Sequence, residues 1–406
     1  MSKKNKRKKW IKPRHRVVRN ILGAFLTPYC SAKYGIKVEK FKNPEKSPYL
    51  ILFNHQTAFD QFFVGAAFKD PIYYMATEDI FSNGWVSSLI KYLVEPIPIK
   101  KQTTDLKAIM TCIRVAKEGG SIAIAPEGNR TYSGKTVYMS PSIAPLARKL
   151  GMPIALFRIE GGYGVQPRWS DVVRKGKMKA YVSRVITPDE YKNMSDDQLF
   201  NIIKSELDIN EAVADGKFTH KKLAERLERS MYFCPDCGLS TFESKNDIIS
   251  CKKCSKQIRY LPTKELSGVG FDFPYNFVLD WYEAQENYIN SLDLEGEGDT
   301  LFYDEKILEL REVIPYERKK LISDSARIKL YGNRAELEFD GNTMVCRFDD
   351  ASTVTVLGKN KLNIYIDGKI YQIKGDEHFN SLKYVHFYTR YKNIVKGEAH
   401  VQFLGL

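Results

Sequence analysis

Residues 49–60 of the 406-residue chain read YLILFNHQTAFD. Its first letters form a short apolar run that ends at Asn54, the pattern of a buried strand. Asp60 then begins the segment DQFFVGAAF, which we interpret as a helix. Since a buried strand followed at once by a helix is the repeating unit of α/β folds, His55 and Asp60 are expected in the turn at the end of the strand.

The same alternation continues to about residue 186. Further short runs predict strands: PIYYMA, EPIPI, GSIAIAPEG, PIALFRI and KAYVSRVI. Helical periodicity lies between them at 106–116 and 141–150, and glycine follows each of these segments. We therefore predict an α/β sheet covered by helices, with catalytic groups at the strand ends.

His55 and Asp60 form a candidate catalytic pair. Two residues that are five positions apart do not lie on the same face of a helix. A strand-to-helix turn can nevertheless fold the Asp60 carboxylate back onto the His55 imidazole. A carboxylate at Nδ1 fixes the tautomer and leaves Nε2 to take a proton from a hydroxyl. The same pattern also fits a helix-capping aspartate beside a surface histidine.

Two further groups suit a phosphate. Gly128 in APEGNRTYSG lets the backbone approach a ligand closely, and the planar fork of Arg130 makes paired hydrogen bonds to phosphate oxygens. An ordinary Gly-Asn turn with an ion pair to Glu127 is the alternative. Lys100 and Lys101, after EPIPI, either neutralise a phosphate or are simply solvated.

In their order along the chain, the blocks NHQTAFD, IPIKK, APEGNR and GMPIALF resemble those of the 1-acyl-glycerol-3-phosphate acyltransferase family, the lysophospholipid and glycerophosphate acyltransferases. The resemblance covers residues 45–190. It implies a glycerolipid acyltransferase-like sheet and an enzyme of phospholipid biosynthesis that converts 1-acylglycerol 3-phosphate to phosphatidate. The acyl donor it implies is a thioester of coenzyme A or of acyl carrier protein. Another lysolipid, or glycerol 3-phosphate, is the alternative acceptor.

Carried over residue by residue, the resemblance implies that His55 is the general base and Asp60 its orienting carboxylate. It also implies that the acceptor phosphate is bound by Lys100 or Lys101 together with Glu127, Gly128 and Arg130. The chain departs from the family pattern at two positions. In the block IPIKK a lysine stands where the family usually has arginine. Lysine offers a phosphate a point charge, whereas the planar guanidinium of arginine can donate two parallel hydrogen bonds. Asn129 replaces the common threonine or serine, which bears on the acceptor headgroup.

Four cysteines predict a zinc ribbon. They follow the pattern C-x2-C-x13-C-x2-C, which suits a tetrahedral Zn²⁺ ion: Cys234, Cys237, Cys251 and Cys254. Because four thiolates leave no open coordination position, we expect a structural rather than a catalytic metal. Disulfides are the alternative, but the chain has seven cysteines, an odd number that favours a reducing compartment.

The C-terminal part has the pattern of a β-rich domain. Alternating apolar and polar residues surround Gly332-Asn333, Asp340-Gly341 and Asp367-Gly368, and Asp-Gly is a strong hairpin signal. Residues 377–395 predict a closing helix. These features look like a pleckstrin-homology-like module, whose ligand would be a lipid headgroup or a protein; a packing domain with no ligand is the alternative.

The positive charge of the chain is concentrated at its N-terminus. Residues 1–48 hold 15 Lys and Arg against two Asp and Glu, whereas the remainder holds 48 against 47. A helical apolar stripe follows the basic run: Val17, Val18, Ile21, Leu22, Phe25 and Leu26. It is shorter than the roughly 20 residues of a bilayer span. We therefore expect a peripheral protein on the inner, cytoplasmic face of an anionic membrane, with no transmembrane span. A disordered tail followed by a core helix is the alternative.

These signals predict six segments: a basic arm with an amphipathic helix (1–48), the acyltransferase domain (49–190), a helical connector (191–230), the zinc ribbon (231–262), an aromatic-rich helical linker (263–295) and the β-rich domain (296–406). The rival from another class is a zinc-ribbon nucleic-acid-binding protein, which requires a basic patch around the cysteines. Residues 231–260 hold five Lys and Arg against three Asp and Glu, and lack regular aromatic interleaving, so nucleic acid is not the expected partner.

Overall fold

A computed structural model describes residues 9–42, 48–99, 105–136 and 138–397. Lys100 and Lys101 lie outside these ranges. The chain divides into two compact units. The first comprises Met1–Pro126, Met139–Glu160 and Met178–Asp208, and the second comprises Glu127–Tyr138, Gly161–Lys177 and Ile209–Leu406.

The first unit is built on a seven-stranded sheet, which confirms the predicted α/β class. Its strands are β1 (Ile36–Val38), β2 (Leu50–Phe53), β3 (Ile72–Thr77), β4 (Ile97–Ile99), β5 (Ser121–Ile124), β6 (Ile154–Glu160) and β7 (Met178–Ile186). They lie in the order β1-β7-β6-β2-β5-β3-β4. Neighbours run parallel except β6 and β7, which are antiparallel.

Helices of this unit are α1 (Pro13–Tyr34), α2 (Asp60–Ala67), α3 (Trp85–Leu93), α4 (Leu106–Lys117), α5 (Ile143–Leu150), α7 (Pro188–Tyr191) and α8 (Asp196–Leu207); the single-turn α6 (Gly162–Val165) belongs to the second unit. A 3-10 helix spans Glu78–Ser82. The central strand β2 is buried along its whole length, as its uninterrupted apolar run predicts. Gly151 adopts a left-handed conformation (φ 65°) at the end of α5, where the sequence predicts a helix stop.

Helix α1 has a buried side and an exposed side. His15, Cys30 and Tyr34 are buried. Apolar side chains at four-residue intervals are exposed on the other side: Val17, Ile21, Phe25 and Tyr29. The apolar stripe predicted from the sequence is therefore split into two rows. Val17, Ile21 and Phe25 are exposed, whereas Val18, Leu22 and Leu26 are half-buried. Within the ranges that the structure describes, which exclude the basic residues 1–8, none of the helices combines the length and the apolarity of a membrane span.

The second unit contains two β-rich parts. The cysteine-bearing part has strands β8 (Phe233–Cys234), β9 (Gly238–Leu239), β10 (Phe242–Lys245), β11 (Ile248–Cys251), β12 (Gln257–Tyr260) and β13 (Leu266–Gly268), and helix α9 (Val278–Ser291) follows it. Strands β10 to β13 form one antiparallel sheet in chain order. The C-terminal part has strands β14 (Leu301–Ile307), β15 (Glu309–Ile314), β16 (Arg318–Ser323), β17 (Ala326–Tyr331), β18 (Arg334–Phe339), β19 (Asn342–Arg347), β20 (Ala351–Leu357), β21 (Lys361–Ile366) and β22 (Lys369–Lys374), and ends with α10 (Leu382–Val395).

The C-terminal strands form sheets in the orders β14-β17-β18-β19 and β16-β15-β22-β21-β20. The Asp-Gly pairs lie in tight hairpin turns as predicted. Asp367 and Gly368 have φ values of 50° and 70°, and Asp340 and Gly341 have values of 50° and 74°. Two consecutive positive φ angles are the signature of a type I′ turn. The closing helix is present but begins at Leu382, five residues later than the pattern suggests.

The helical connector predicted for 191–230 departs from the structure in its second half. Helix α8 ends at Leu207, and the next helical residues are a 3-10 turn at Leu227–Arg229. The chain between them is irregular because tertiary packing sets its path. The Phe218 ring lies so close to three glycines that a Cβ at any of them would come within 2.2–2.7 Å of it: Gly164, Gly176 and Gly216.

Ser195 caps α8, and this cap is testable. Its hydroxyl accepts from the Gln198 backbone N–H at 3.1 Å, and the Gln198 side chain accepts from the Ser195 N–H at 2.8 Å. We expect Ser195→Ala to lower the free energy of opening α8 by about 1 kcal/mol, measured by native-state hydrogen exchange of the α8 amides. Ser205→Ala in the same helix is the control, and should have no cost because alanine has the higher helix propensity. Equal losses in both variants would contradict the capping role.

Candidate functional site

The turn after β2 is organised around the Asp60 carboxylate, which is fully buried. Oδ2 accepts from the Gln56 backbone N–H at 2.6 Å. Oδ1 accepts from the Thr57 backbone N–H at 2.9 Å and from the Thr57 hydroxyl at 2.7 Å. Asp60 is also the first residue of α2, where the helix dipole favours a negative charge. The carboxylate is therefore held in one orientation by its own turn.

His55 completes this arrangement. Its Nδ1 lies 2.7 Å from Asp60 Oδ2. Since an ionised carboxylate only accepts hydrogen bonds, this contact directs the Nδ1–H of His55 toward Asp60. The His55 side chain is 27% exposed, whereas His15 and His386 are buried. His55 thus combines a fixed ring orientation with partial exposure to solvent.

Asn54 fixes the other end of the turn, a role that the sequence did not reveal. Its Nδ2 donates to the Ile159 carbonyl at 2.8 Å, and its Oδ1 accepts from the Ile159 N–H at 2.7 Å. The side chain is fully buried. The side chain thus satisfies the backbone N–H and carbonyl of Ile159 in β6, just beyond the end of β2. Asn54, which ends the strand predicted from the sequence, therefore also attaches the chain next to His55 to strand β6.

Glu127, Gly128 and Arg130 lie in one loop of the second unit. Gly128 has a φ of 71°, a conformation that L side chains rarely adopt, and Glu127 is buried. The Arg130 carbonyl accepts from Arg168 Nη1 at 2.8 Å. The Arg168 guanidinium also stacks on Tyr132, 4.3 Å from the ring centroid. The backbone around Arg130 is thus held from two sides by one arginine.

The structure brings His55 and Asp60 into contact, and places Glu127, Gly128 and Arg130 together in a separate loop. Strands β2 and β5 are parallel neighbours, so His55 and Ala125 follow the same edge of the sheet. The predicted Lys100 and Lys101 lie outside the described residues and have no structural account.

Parts of the chain are similar to solved structures. A solved 1-acyl-sn-glycerophosphate (LPA) acyltransferase, PlsC, from Thermotoga maritima is 18% identical, covers 48% of this chain and 78% of its own, and superposes with a TM-score of 0.41. The N-terminal PH domain of human ARAP2 covers 23% of this chain and 81% of its own at 14% identity, with a TM-score of 0.17.

The sequence matches are the decisive ones. The family model described as "Acyltransferase" matches residues 35–159. The 1-acyl-sn-glycerol-3-phosphate acyltransferase of Bacillus subtilis (strain 168) is 25% identical over 166 residues, which are 40% of this chain and 80% of that protein. Residues 35–159 form an acyltransferase domain, and the protein is similar there to a 1-acyl-sn-glycerol-3-phosphate acyltransferase.

The acyltransferase also carries a cluster of thiols that could hold a metal. The Sγ atoms of Cys234, Cys237, Cys251 and Cys254 all lie within 4.8 Å of one another. Those of Cys234 and Cys254 are 3.8 Å apart. A tetrahedral Zn²⁺ with Zn–S bonds of about 2.3 Å places its sulfurs roughly 3.8 Å apart, so the cluster fits this ion. Separations of this size are far longer than a disulfide bond.

Local geometry supports metal binding by these thiols. Gly238, directly after the first pair, has a φ of 68°, and Ser255, directly after the second pair, has a φ of 59°. The chain therefore makes a tight turn after each pair. The Ser240 hydroxyl lies 3.1 Å from Cys251 Sγ. Burial would raise the pKa of Cys251, but hydrogen bonds from Ser240 and from the backbone at Lys253 and Cys254 lower it to about 7, which favours the thiolate that binds metal. Burial raises the pKa of Cys234 and of Cys237, so the metal-binding geometry, rather than the acidity of all four thiols, supports the site.

Metal content tests this centre. We expect the purified acyltransferase to contain about one zinc per chain by inductively coupled plasma mass spectrometry, because four thiolates complete the tetrahedral shell. Cys237→Ser should reduce the zinc content at least tenfold and lower the melting temperature, since structural zinc contributes folding free energy. Cys112→Ser, which removes an isolated buried thiol, is the control and should retain zinc. Wild-type protein without stoichiometric metal would contradict a zinc centre.

Proposed function

We propose that this acyltransferase esterifies a lysophospholipid, with 1-acylglycerol 3-phosphate as acceptor and phosphatidate as product. The donor is an acyl thioester of coenzyme A or acyl carrier protein. The observation that supports this proposal best is the contact between His55 and the buried Asp60 at the end of a central parallel strand. Such a pair suits proton removal from an alcohol, and the matching family model supplies the reaction class.

In the proposed reaction, His55 Nε2 takes the proton of the acceptor hydroxyl as that oxygen attacks the thioester carbonyl carbon. A C–O bond forms, the C–S bond breaks, and the proton on His55 passes to the leaving thiolate. Asp60 keeps the imidazole in the required tautomer and stabilises the imidazolium that forms. The transfer is direct and needs no acyl-enzyme intermediate.

We assign the acceptor phosphate to the loop that contains Glu127, Gly128 and Arg130, as the family resemblance implies. Its support is the preorganised backbone, which Gly128 and the hydrogen bond from Arg168 to the Arg130 carbonyl hold in place. Lys100 or Lys101 is assigned to the same phosphate from the resemblance alone. Binding two substrates in reacting geometry would supply much of the remaining rate enhancement.

We further propose that the acyltransferase docks peripherally on the inner face of an anionic membrane through α1 and α3. Phe25 of α1 and Trp85 of α3 are 73% and 76% exposed. Further exposed apolar residues lie on the same helices: Val17, Ile21, Tyr29, Val86, Leu89 and Tyr92. An apolar surface of this kind next to an N-terminal segment rich in Lys and Arg matches the lipid and charge components of an anionic bilayer.

The nucleic-acid alternative gains no support from the structure of the cysteine-bearing part. Three of its cations are paired with carboxylates: Lys252 with Glu243, Lys256 with Asp236 at 2.8 Å, and Arg259 with Asp247 at 3.1 Å. These pairs offset the positive charge that phosphate backbone binding requires.

Acyl transfer by His55 variants tests the catalytic assignment. We expect His55→Ala to lower kcat by about 10²–10⁴-fold with lysophosphatidate and an acyl-coenzyme A donor, because the acceptor proton has no base. His220→Ala, which removes an exposed histidine, is the control and should retain wild-type activity. Circular dichroism checks that both variants are folded. A His55→Ala enzyme with nearly wild-type kcat would overturn the assignment, and a panel of lysolipids and glycerol 3-phosphate identifies the acceptor.

Vesicle sedimentation tests the docking surface. Phe25→Asp replaces an exposed ring with a charge, so we expect binding to vesicles of phosphatidylcholine and phosphatidylglycerol to fall at least tenfold. Val345→Asp, at an exposed apolar position of β19, should bind as the wild type does. Equal binding of all three proteins would exclude α1 as the membrane contact.

A further inference from the structure

Lys359 projects from a turn that is fixed in place. The turn joins β20 to β21, and Gly358 adopts a left-handed conformation there with a φ of 64°. The Asn360 side chain donates from Nδ2 to the carbonyls of Gly375 and Asp376, both at 2.9 Å. Lys359 is therefore presented by rigid backbone, although it belongs to the C-terminal β-rich part, far along the chain from the acyltransferase motifs.

The Lys359 ammonium and a buried arginine share one carboxylate. Lys359 Nζ lies 2.7 Å from Asp171 Oδ1. Arg229 donates to both oxygens of Asp171, at 2.8 and 2.9 Å, and its Nη1 also donates to the Trp169 carbonyl at 3.0 Å. Burial would raise the pKa of Asp171, but the hydrogen bonds from Arg229 and Lys359 lower it to about 2. Arg226 Nε also lies 3.5 Å from Asp171 Oδ2, and Arg226 in turn pairs with Glu377 at 2.7 Å. Asp171 thus faces three cations, one of which has a second carboxylate partner.

The segment that carries Asp171 also holds the Arg130 loop. Arg168, three residues before Asp171, donates to the Arg130 carbonyl at 2.8 Å. Residues 168–171 therefore contact the Arg130 backbone at one end and Lys359 at the other, and all of these residues belong to the second unit. Burial is the main cause that lowers the pKa of Lys359, and the positive charges of Arg229 and Arg130 lower it further. The hydrogen bond and the negative charge of Asp171 act in the opposite direction.

We propose that Lys359 is a further cation of the acceptor-phosphate site, acting in addition to Arg130. This inference rests on the proposed function, and it names the acceptor class as a phosphomonoester lysolipid. A phosphomonoester carries nearly two negative charges at neutral pH, whereas a phosphodiester lysolipid carries one, so additional positive charge favours the monoester. An ammonium has three donors, which lets Lys359 keep Asp171 and still bind a phosphate oxygen. Its side chain is 30% exposed and so remains accessible.

Binding without turnover tests the role of Lys359 independently of catalysis. The probe is 1-hexanoyl lysophosphatidate, a short-chain acceptor, added to the full-length protein without an acyl donor and measured by isothermal titration calorimetry. We expect Lys359→Ala to raise its Kd at least tenfold, because a charge-assisted hydrogen bond to the phosphate is lost. Lys359→Arg should retain most of the affinity. Lys369→Ala, at an exposed lysine in the next hairpin, is the matched control and should bind as the wild type does.

Two comparisons separate phosphate contact from a merely structural role. A structural role predicts equal weakening for lysophosphatidate and for the uncharged 1-hexanoylglycerol, together with a lower melting temperature. It also predicts that Asp171→Asn weakens lysophosphatidate binding as much as Lys359→Ala does. Phosphate contact predicts that only the charged ligand is affected and that Asp171→Asn retains or increases affinity. A Lys359→Ala protein whose lysophosphatidate Kd is within twofold of wild type would overturn the inference, as would a wild type that does not bind the probe.

The outcomes also separate this inference from the proposed function. Lysophosphatidate binding that depends on Lys359, in a wild type that does not acylate it, would refute the proposed function and support the inference. Acylation that proceeds with the same KM in the wild type and in Lys359→Ala would support the proposed function and refute the inference.

Discussion

The candidate catalytic centre depends on the burial of one carboxylate. An ionised side chain with no access to water costs several kcal/mol unless hydrogen bonds replace its hydration. Asp60 obtains them from the backbone of Gln56 and Thr57, from the Thr57 hydroxyl and from His55. Because each donor must point at the same group, the turn has little conformational freedom. The orientation of the His55 ring is therefore a consequence of satisfying Asp60.

The second unit provides the remaining candidate site residues through long-range contacts. The loop Glu127–Tyr138 is grouped with the cysteine-bearing and β-rich parts, although it directly follows a strand of the first unit. Its backbone is held by Arg168, and the same short segment reaches Arg229 and Lys359 through Asp171. The C-terminal part is thus linked to this loop by hydrogen bonds, and a metal that folds the cysteine cluster would stabilise the unit that contains the loop.

Local patterns in the sequence were sufficient for much of the fold. The strands and the Asp-Gly hairpins each depend on neighbouring residues, and the structure contains them. The contact between His55 and Asp60 could also be predicted, because the two residues belong to the same short turn. By contrast, Asn54 acts through Ile159, more than 100 residues away, and Lys359 acts through Asp171, 188 residues away. No local pattern reports such contacts. The predicted helical connector was wrong in its second half for the same reason, because Gly164 and Gly176, which pack against Phe218, are distant from it in sequence.

Direct transfer from donor to acceptor, with His55 as base, is the central claim, and rapid mixing with acyl-coenzyme A tests it most directly. Free thiol is followed with a thiol-reactive dye, first without an acceptor and then with lysophosphatidate. Direct transfer predicts no burst of thiol until the acceptor is present, since the hydroxyl that attacks the thioester is absent. A burst of one thiol per active site without acceptor, with the acyl group found on the protein by mass spectrometry, would contradict the account because it would show a covalent intermediate.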